Sequence, residues 1–506
     1  MRLKKVPLRL KRFIMDKNYI ISVDQSTQGT KALLFDKKGN LLCRVDEFHK
    51  QIINDKGWVS HDPEEIYANT IKVIRGVLIK GNASPDEVAA LGISNQRETS
   101  VIWDRATGKS LNKAVVWQCA RGAAITERPE VAGAADEIAE KTGIRLSPYF
   151  PAAKIAWLLE NTEGAAEKAA DHTVCHGTID SFLIFRLTGG KTYATDYSNA
   201  SRTQLFNIFD LKWDKKICGL FGIDPENMPE VCDSNACFGY TDCEGIFSEP
   251  IPIHSALGDS HAALFGQNCR KPGQAKATYG TGSSIMMNIG EKPVLSKNGL
   301  VTSLAWGMNG KVEYVLEGNL NYTGAVITWL KDDARLIGGP GETESLANEA
   351  NADDSVYLVP AFSGLGAPYW NSHAKAAIIG MDRTTGRNEI VRAALECIAY
   401  QITDIVKAMG QDSGAKLDAL KVDGGPTRNG YLMQFQSDMA RCRVSVPNAE
   451  ELSGIGAAYA AGIACGLWDE SVFSHMIYKD HEPVMEEDRA VKKYEGWLDA
   501  VGRVSK

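Results

Sequence analysis

A two-domain α/β protein is predicted from three observations. The chain runs to 506 residues, 44% hydrophobic and 24% charged, which is too long for one packed core and apolar enough for two. Short apolar runs of strand character alternate with segments of helical period. One unit, a strand, a glycine-rich turn and a returning strand, occurs over 19–35 and again over 274–289. The copies share little sequence and stand about half the chain length apart, as expected of structural duplicates.

In the first half, the apolar run 19–23 enters Asp24-Gln25-Ser26-Thr27-Gln28-Gly29-Thr30 and returns as a strand through Phe35. Asp36 to Asn40 then forms a tight turn into a further strand at 41–43. Asp62-Pro63-Glu64-Glu65 supplies an N-cap, a proline in the first turn and early acids, and opens an amphipathic helix to about Lys80. A strand over 88–94 delivers Asn95-Gln96-Arg97-Glu98-Thr99. The stretch 224–253 is irregular and rich in Pro, Cys and Gly, and leads to a strand end at Gly258-Asp259. A helix over 261–266 follows, and the domain boundary is placed near residue 267.

In the second half, the turn Tyr279-Gly280-Thr281-Gly282-Ser283-Ser284 lies between its two strands. A strand over 417–423 reaches Gly424-Gly425-Pro426-Thr427-Arg428-Asn429, with a helix over 431–440 behind it. The segment 389–409 repeats apolar residues at helical spacing and reads as a packing helix. Ser453-Gly454-Ile455-Gly456-Ala457-Ala458 begins a small-residue helix suited to lie close under a sheet. The charged tail beyond Glu482 is expected to be peripheral.

Composition narrows the function. A net charge of −7 leaves no overall basic field for nucleic acid. Eleven cysteines at uneven spacing, without a Cys-x-x-Cys pair, fit reduced thiols better than a disulfide framework, and Cys232, Cys237 and Cys243 are too widely spaced for zinc. The basic segment 1–14 has no continuous apolar core of a secretory signal, and Met15 offers a second start. No window approaches 18 uninterrupted apolar residues, so no membrane span is expected and the protein is predicted to be soluble and cytoplasmic.

A carboxylate at a strand end (Asp259) followed some twenty residues later by a phosphate-sized backbone cradle suggests phosphoryl transfer to a hydroxyl. Neither glycine turn is a P-loop, because neither is followed by Gly-Lys-Ser/Thr and the first turn joins paired strands. Arg97 and Glu98, just past a buried-type strand, suit adjacent hydroxyls, the guanidinium donating and the carboxylate accepting; a surface ion pair is the competing reading. Trp117 and Tyr149 suit the C–H face of a polyol, although each alone reads equally as a core aromatic.

With these residues in hand, the chain resembles the FGGY carbohydrate kinases from about residue 19 to 468. The runs that carry the likeness include Asn95-Gln96-Arg97-Glu98-Thr99, Asn199-Ala200-Ser201-Arg202-Thr203 and Phe362-Ser363-Gly364-Leu365-Gly366-Ala367-Pro368-Tyr369-Trp370. The family's first signature stands at 149–157 and its second around 376–396, with Ala376 where glycine is usual. The resemblance implies two ribonuclease-H-like domains of the actin and hexokinase type with a central cleft. An N-terminal domain over 18–267 would bind the polyol and a C-terminal domain over 268–506 the nucleotide. It further implies Asp259 as catalytic base, Asp24 on magnesium, and Arg97, Glu98, Trp117 and Tyr149 around the polyol. Thr27, Gln28, Lys31, Thr281, Gly324, Thr328, Gly425 and Asn429 would face ATP. Homodimers and homotetramers are common in such a family.

Two departures bear on the substrate. Ser260 follows the catalytic aspartate where glycerol-specific members carry glutamine, and Ser284 stands where they carry a phenylalanine that closes the pocket. Both shorten the side chain, so the expected substrate is larger than glycerol, such as a tetritol, pentitol or ketose, with glycerol as the alternative. A non-catalytic sugar and nucleotide sensor is disfavoured because Asp24 and Asp259 are both present. An actin-like ATPase is disfavoured because it has no use for the Arg97, Glu98, Trp117 and Tyr149 pocket.

Overall fold

The computed structural model describes residues 17–506; the segment 1–14 and Met15 lie outside the described residues. The chain divides into two units. The first holds the residues up to Asn268 with Ser303–Tyr314 and Glu451–His475, and the second holds Cys269–Thr302, Val315–Glu450 and Met476–Lys506. In chain order the elements that matter are β1 (Tyr19–Gln25), β2 (Gly29–Phe35), β3 (Leu41–Phe48), α1 (Pro63–Lys80), β4 (Val88–Asn95), α2 (Pro151–Asn161), α3 (Tyr197–Ala200), β5 (Tyr240–Thr241), β6 (Ile251–Gly258) and α4 (Asp259–Gly266). They continue with β7 (Ala275–Tyr279), β8 (Ser283–Gly290), β9 (Val301–Met308), β10 (Lys311–Leu320), α5 (Gly324–Asp332), α6 (Arg387–Ser413), β11 (Ala419–Asp423), α7 (Gly430–Ala440), β12 (Arg443–Pro447), α8 (Leu452–Cys465), β13 (Tyr478–His481) and α9 (Glu487–Val504).

The first sheet has the order β5-β6-β4-β1-β2-β3. β1 runs antiparallel to β2 and parallel to β4, and β4 runs parallel to β6, so Asp24, Asn95 and Gly258 all stand at the C-terminal ends of the three parallel strands. Every residue of β4 is buried, which explains its continuous apolar character. α1 covers the sheet through Ile66, Ile71, Ile74 and Val77, and starts where Asp62 Oδ1 accepts the Glu64 N–H at 3.1 Å. α8 lies close to α4, since a Cβ on Gly456 would stand 1.8 Å from the Ala262 carbonyl oxygen. A second sheet of this unit carries Val59–His61, Ser100–Asp104 and Val174–Thr178.

The other large sheet has the order β9-β10-β8-β7-β11-β12-β13. Its centre repeats the first sheet: β7 is antiparallel to β8 and parallel to β11, and β11 is parallel to β12. Both units are thus α/β folds of the ribonuclease-H-like kind found in actin and hexokinase-type ATPases. α6 buries Val391, Ala394, Ile398, Ile402 and Ile405 and stops at Gly414, whose φ of +68° is the left-handed cap glycine provides.

The tail is not peripheral. α9 brings Trp497 into the core of the second unit with no exposed surface. Tyr494 Oη and Trp497 Nε1 donate to the buried Asp404 carboxylate at 2.6 and 2.9 Å, and Tyr369 Oη adds a third bond at 2.9 Å. The charges that suggested a solvent-exposed tail occupy the outer face of an amphipathic helix. All eleven cysteines are free, no described group of His, Cys, Asp and Glu forms a three-membered metal cluster, and no helix of the described residues is long and apolar enough to cross a membrane.

Candidate functional site

β1 ends by burying a carboxylate. Asp24 is 7% exposed, and its Oδ1 meets no hydrogen-bond partner among the described residues. Burial pushes this carboxyl up to about 6, against the pull of the Lys31 ammonium and with the push of the Asp259 charge. The turn behind it is closed by the Ser26 N–H on the Gly29 carbonyl at 2.8 Å. Gly29 is required there, because a Cβ would stand 2.5 Å from the Glu47 carbonyl oxygen. Thr27 Oγ1 accepts from Trp117 Nε1 at 2.9 Å, Gln28 is exposed, and Lys31 is drawn into an ion pair with Glu451 at 2.7 Å.

The hydroxyl-binding candidates gather in the same unit. Arg97 Nε donates to Asp259 Oδ1 at 3.1 Å, which joins the two residues assigned to the acceptor and to the base. Glu98 is 2% exposed and held at φ +60°, a left-handed conformation uncommon for a residue with a side chain. Its Oε1 accepts from Arg202 Nε at 2.6 Å. The Trp117 and Tyr149 rings meet edge to face with centroids 5.7 Å apart. Asp259 opens α4 with a side chain 37% exposed, so an incoming hydroxyl can reach it. Ser260 engages through its backbone, its N–H donating to Asp259 Oδ1 at 2.6 Å.

In the second unit, Gly280 N–H closes the glycine turn on the Gly282 carbonyl at 2.8 Å. The start of α5 docks on that turn, with the N–H groups of Thr323 and Ala325 on the Thr281 carbonyl at 3.0 Å and that of Gly324 on the Gly280 carbonyl at 2.9 Å. Three glycines permit the approach: a Cβ would stand 2.1 Å from the Leu320 oxygen at Gly282, 2.7 Å from the Gly280 oxygen at Gly324, and 2.0 Å from the Tyr279 oxygen at Gly424. Thr281 and Gly425 are exposed beside them, and Gly425 faces open space. Thr328 Oγ1 donates to the Gly324 carbonyl at 3.3 Å. Asn429 caps α7, accepting from the Leu432 N–H at 2.9 Å while donating to Thr343 at 3.0 Å. Its side chain therefore fixes a helix start, and Ser284 Oγ lies 3.5 Å from Glu317 Oε1.

Sequence reasoning named Arg202 only as part of a run. The structure makes it the partner of Glu98, 1% exposed and 5.1 Å above the Phe150 ring. Lys154 of α2 is fully buried, donating to the carbonyls of Tyr149 and of Glu98, the latter at 3.4 Å. Burial lowers its ammonium to about 7. The available signal was a lone cation inside each apolar or small-residue run. As for magnesium, the buried, unpartnered Asp24 oxygen is the donor a hard cation uses when it takes one carboxylate from the protein and the rest of its shell from phosphate and water.

The N-terminal domain of the FGGY family of carbohydrate kinases matches residues 19–266, and its C-terminal domain matches residues 275–465. A glycerol kinase of Caldanaerobacter subterraneus subsp. tengcongensis is 48% identical over 96% of this chain and 99% of its own. One from Thermoanaerobacter pseudethanolicus is 47% identical over the same shares. The crystal structure of Plasmodium falciparum glycerol kinase with ADP superposes with a TM-score of 0.91 at 37% identity, covering 96% of this chain and 98% of that one. These likenesses overturn the expectation of a substrate larger than glycerol. Ser284 Oγ, in β8, lies 3.5 Å from Glu317 Oε1 and the Ser260 N–H is spent on Asp259 Oδ1, so the length of these two side chains does not by itself report the size of the acceptor. The chain belongs to the FGGY family of carbohydrate kinases, phosphotransferases with an alcohol group as acceptor.

Proposed function

We propose that this protein is an ATP-dependent glycerol kinase that forms glycerol 3-phosphate and ADP. The observation that carries the reading is the 46–48% identity to glycerol kinases along 96–97% of the chain, which leaves almost no segment outside the comparison. In this reading Arg97 donates to one glycerol hydroxyl while Glu98, steadied by Arg202, accepts from its neighbour. The Trp117 and Tyr149 rings receive the carbon chain and exclude water from its C–H face. The primary hydroxyl points at Asp259. As its oxygen bonds to the terminal phosphorus and the bridging P–O bond of ATP breaks, the hydroxyl proton passes to the Asp259 carboxylate, and ADP leaves. The Arg97 Nε–H steadies that carboxylate at 3.1 Å.

Asp24 is the residue that would hold magnesium, whose charge neutralises the phosphate oxygens. The backbone around Thr281, Gly324 and Gly425 would line the nucleotide, with Thr328 and Asn429 shaping the helix starts beside it. Thr27 supports Trp117, and Lys31 is tied to Glu451.

The test is coupled ADP release with Mg-ATP against glycerol, erythritol, xylitol and D-xylulose, with Asp259→Ala as the blank. Glycerol is expected to give the highest kcat/KM, and loss of the base is expected to lower kcat by about 10²–10⁴-fold. A higher kcat/KM on any four- or five-carbon acceptor would refute the glycerol assignment.

A further inference from the structure

One buried carboxylate in the first unit reaches toward both halves of the acceptor site without touching either. Asp196, at the start of α3, has no exposed surface and collects five hydrogen bonds. Its Oδ1 accepts from Ser198 Oγ, from the Asn199 N–H and from Asn199 Nδ2, each at 2.9 Å. Its Oδ2 accepts from the Ser198 N–H at 2.9 Å and from Ser234 Oγ at 2.6 Å.

Two arms leave this hub. Along one, Ser198 Oγ spends its proton on Asp196 and so presents a lone pair to the Gly258 N–H at 2.9 Å. Gly258 is the residue before Asp259, and its N–H lies at the point where β6 turns into α4. Along the other, Asn199 and Asn95 exchange side-chain hydrogen bonds at 2.9 and 3.0 Å, and Asn95 Nδ2 also reaches the Gln96 carbonyl at 3.0 Å. Gln96 immediately precedes Arg97 and Glu98. Ser198, Asn199 and Asn95 are each at most 1% exposed, so both arms are dry and their directions are fixed by fully used donors.

We infer that Asp196 is a positioning residue that sets the catalytic carboxylate through Ser198 and the hydroxyl-binding Arg97–Glu98 pair through Asn199 and Asn95. Reaction rate depends steeply on such placement, a 1 Å error costing as much as about 10²-fold. The arms differ in what they place. The Ser198 arm holds the residue that takes the proton and governs kcat, whereas the Asn199 arm holds the residues that grip the acceptor and governs its KM. A carboxylate kept only to cap α3 would show no such division.

The inference rests on the acceptor site proposed above, and its test is separable from the identity of the acceptor. The full-length protein is assayed first for the polyol it prefers, and the variants are then compared on that polyol. Another preferred polyol would defeat the glycerol reading and leave this one to the variants. Ser198→Ala is expected to lower kcat roughly tenfold with acceptor KM within about twofold, and Ser198→Thr, which keeps the oxygen, to restore it. Asn199→Ala is expected to raise acceptor KM roughly tenfold with kcat within about threefold, and Asp196→Asn to do both. KM for ATP stays unchanged in all of them. Equal movement of kcat and acceptor KM in both single-arm variants, a matching rise in KM for ATP, or no change in either would overturn the proposal. The single-arm variants decide the matter even where Asp196→Asn does not fold.

Discussion

The two glycine hairpins share a backbone and differ in chemistry. In the first, β1 and β2 pair Asp24 with Lys31 and then Gln25 with Thr30 before the turn. In the second, β7 and β8 pair Thr278 with Ser284 and then Tyr279 with Ser283. A carboxylate and an ammonium in one hairpin thus correspond to two hydroxyls in the other. Their backing differs too. Behind the first turn lie Gln25, Gln96, His61 and His49, a polar cluster in which Gln96 Nε2 reaches Gln25 Oε1 at 3.0 Å and His61 Nδ1 at 3.3 Å. Behind the second, Tyr279 is fully buried on Gln436 at 2.8 Å and the turn is held by backbone N–H groups of α5. The two hairpins share a glycine turn and only the first carries a carboxylate and an ammonium, so in the proposed reading the first faces a cation and the second makes neutral contact with phosphate.

That contrast breaks first at Asp24. Asp24→Asn keeps the shape and removes the charge, and kcat is expected to fall by about 10²–10³-fold with the fold intact, read by steady-state kinetics and circular dichroism. A variant within tenfold of the parent would mean that the first hairpin is as dispensable in charge as the second. The second hairpin breaks through its backbone instead. Gly424 has φ +100° and its Cβ would stand 2.0 Å from the Tyr279 carbonyl oxygen, so Gly424→Ala is expected to cost about 1–3 kcal/mol in urea unfolding and to raise KM for ATP. Gly57, at φ +71° with nothing within 4 Å, serves as the control, since Gly57→Ala carries the backbone strain without the collision.

The hairpins were legible because their signal is local. Apolar runs flank glycines that the geometry does require, and the Asp62-Pro63 start of α1 is a self-contained cap. That Asp24, Arg97, Glu98 and Asp259 stand at the ends of β1, β4 and β6 was legible because each follows directly on an apolar strand run. What stayed hidden depends on partners distant in sequence. Lys31 reads as free to meet a phosphate until Glu451, far along the chain, is seen to hold it at 2.7 Å. Asn429 sits beside two glycines like a ligand residue, yet spends its side chain capping α7. The tail reads as solvent-exposed from its charges, while Trp497 and Tyr494 seek Asp404 on another helix. Ser260 and Ser284 misled because side-chain size at single positions along the sequence does not by itself report the acceptor, which likeness along the whole chain does.

The smallest expected effect sharpens the contrast in backing, and it is a matter of pH. The His49 and His61 rings meet edge to face at 4.4 Å, and burial lowers the imidazole of His61 to about 3, with the nearby His49 adding to the effect. Burial also lowers His49. The unfolded chain takes up a proton near pH 6.5 that folded His61 refuses until about 3, so this group's contribution is fully present above pH 6.5 and is lost as the pH falls toward 3. The slope approaches about 1.4 kcal/mol per pH unit for one proton. His61→Gln can keep the contact to Gln96 and cannot titrate. Urea unfolding of parent and variant at pH 7.5, 6.0 and 5.0 is therefore expected to show the parent's advantage shrinking by about 1 kcal/mol per unit below pH 6. Parallel curves would mean that the charge of His61 is accommodated in the folded state, and that the polar backing of the first hairpin is as indifferent to acid as the tyrosine and backbone contacts behind the second.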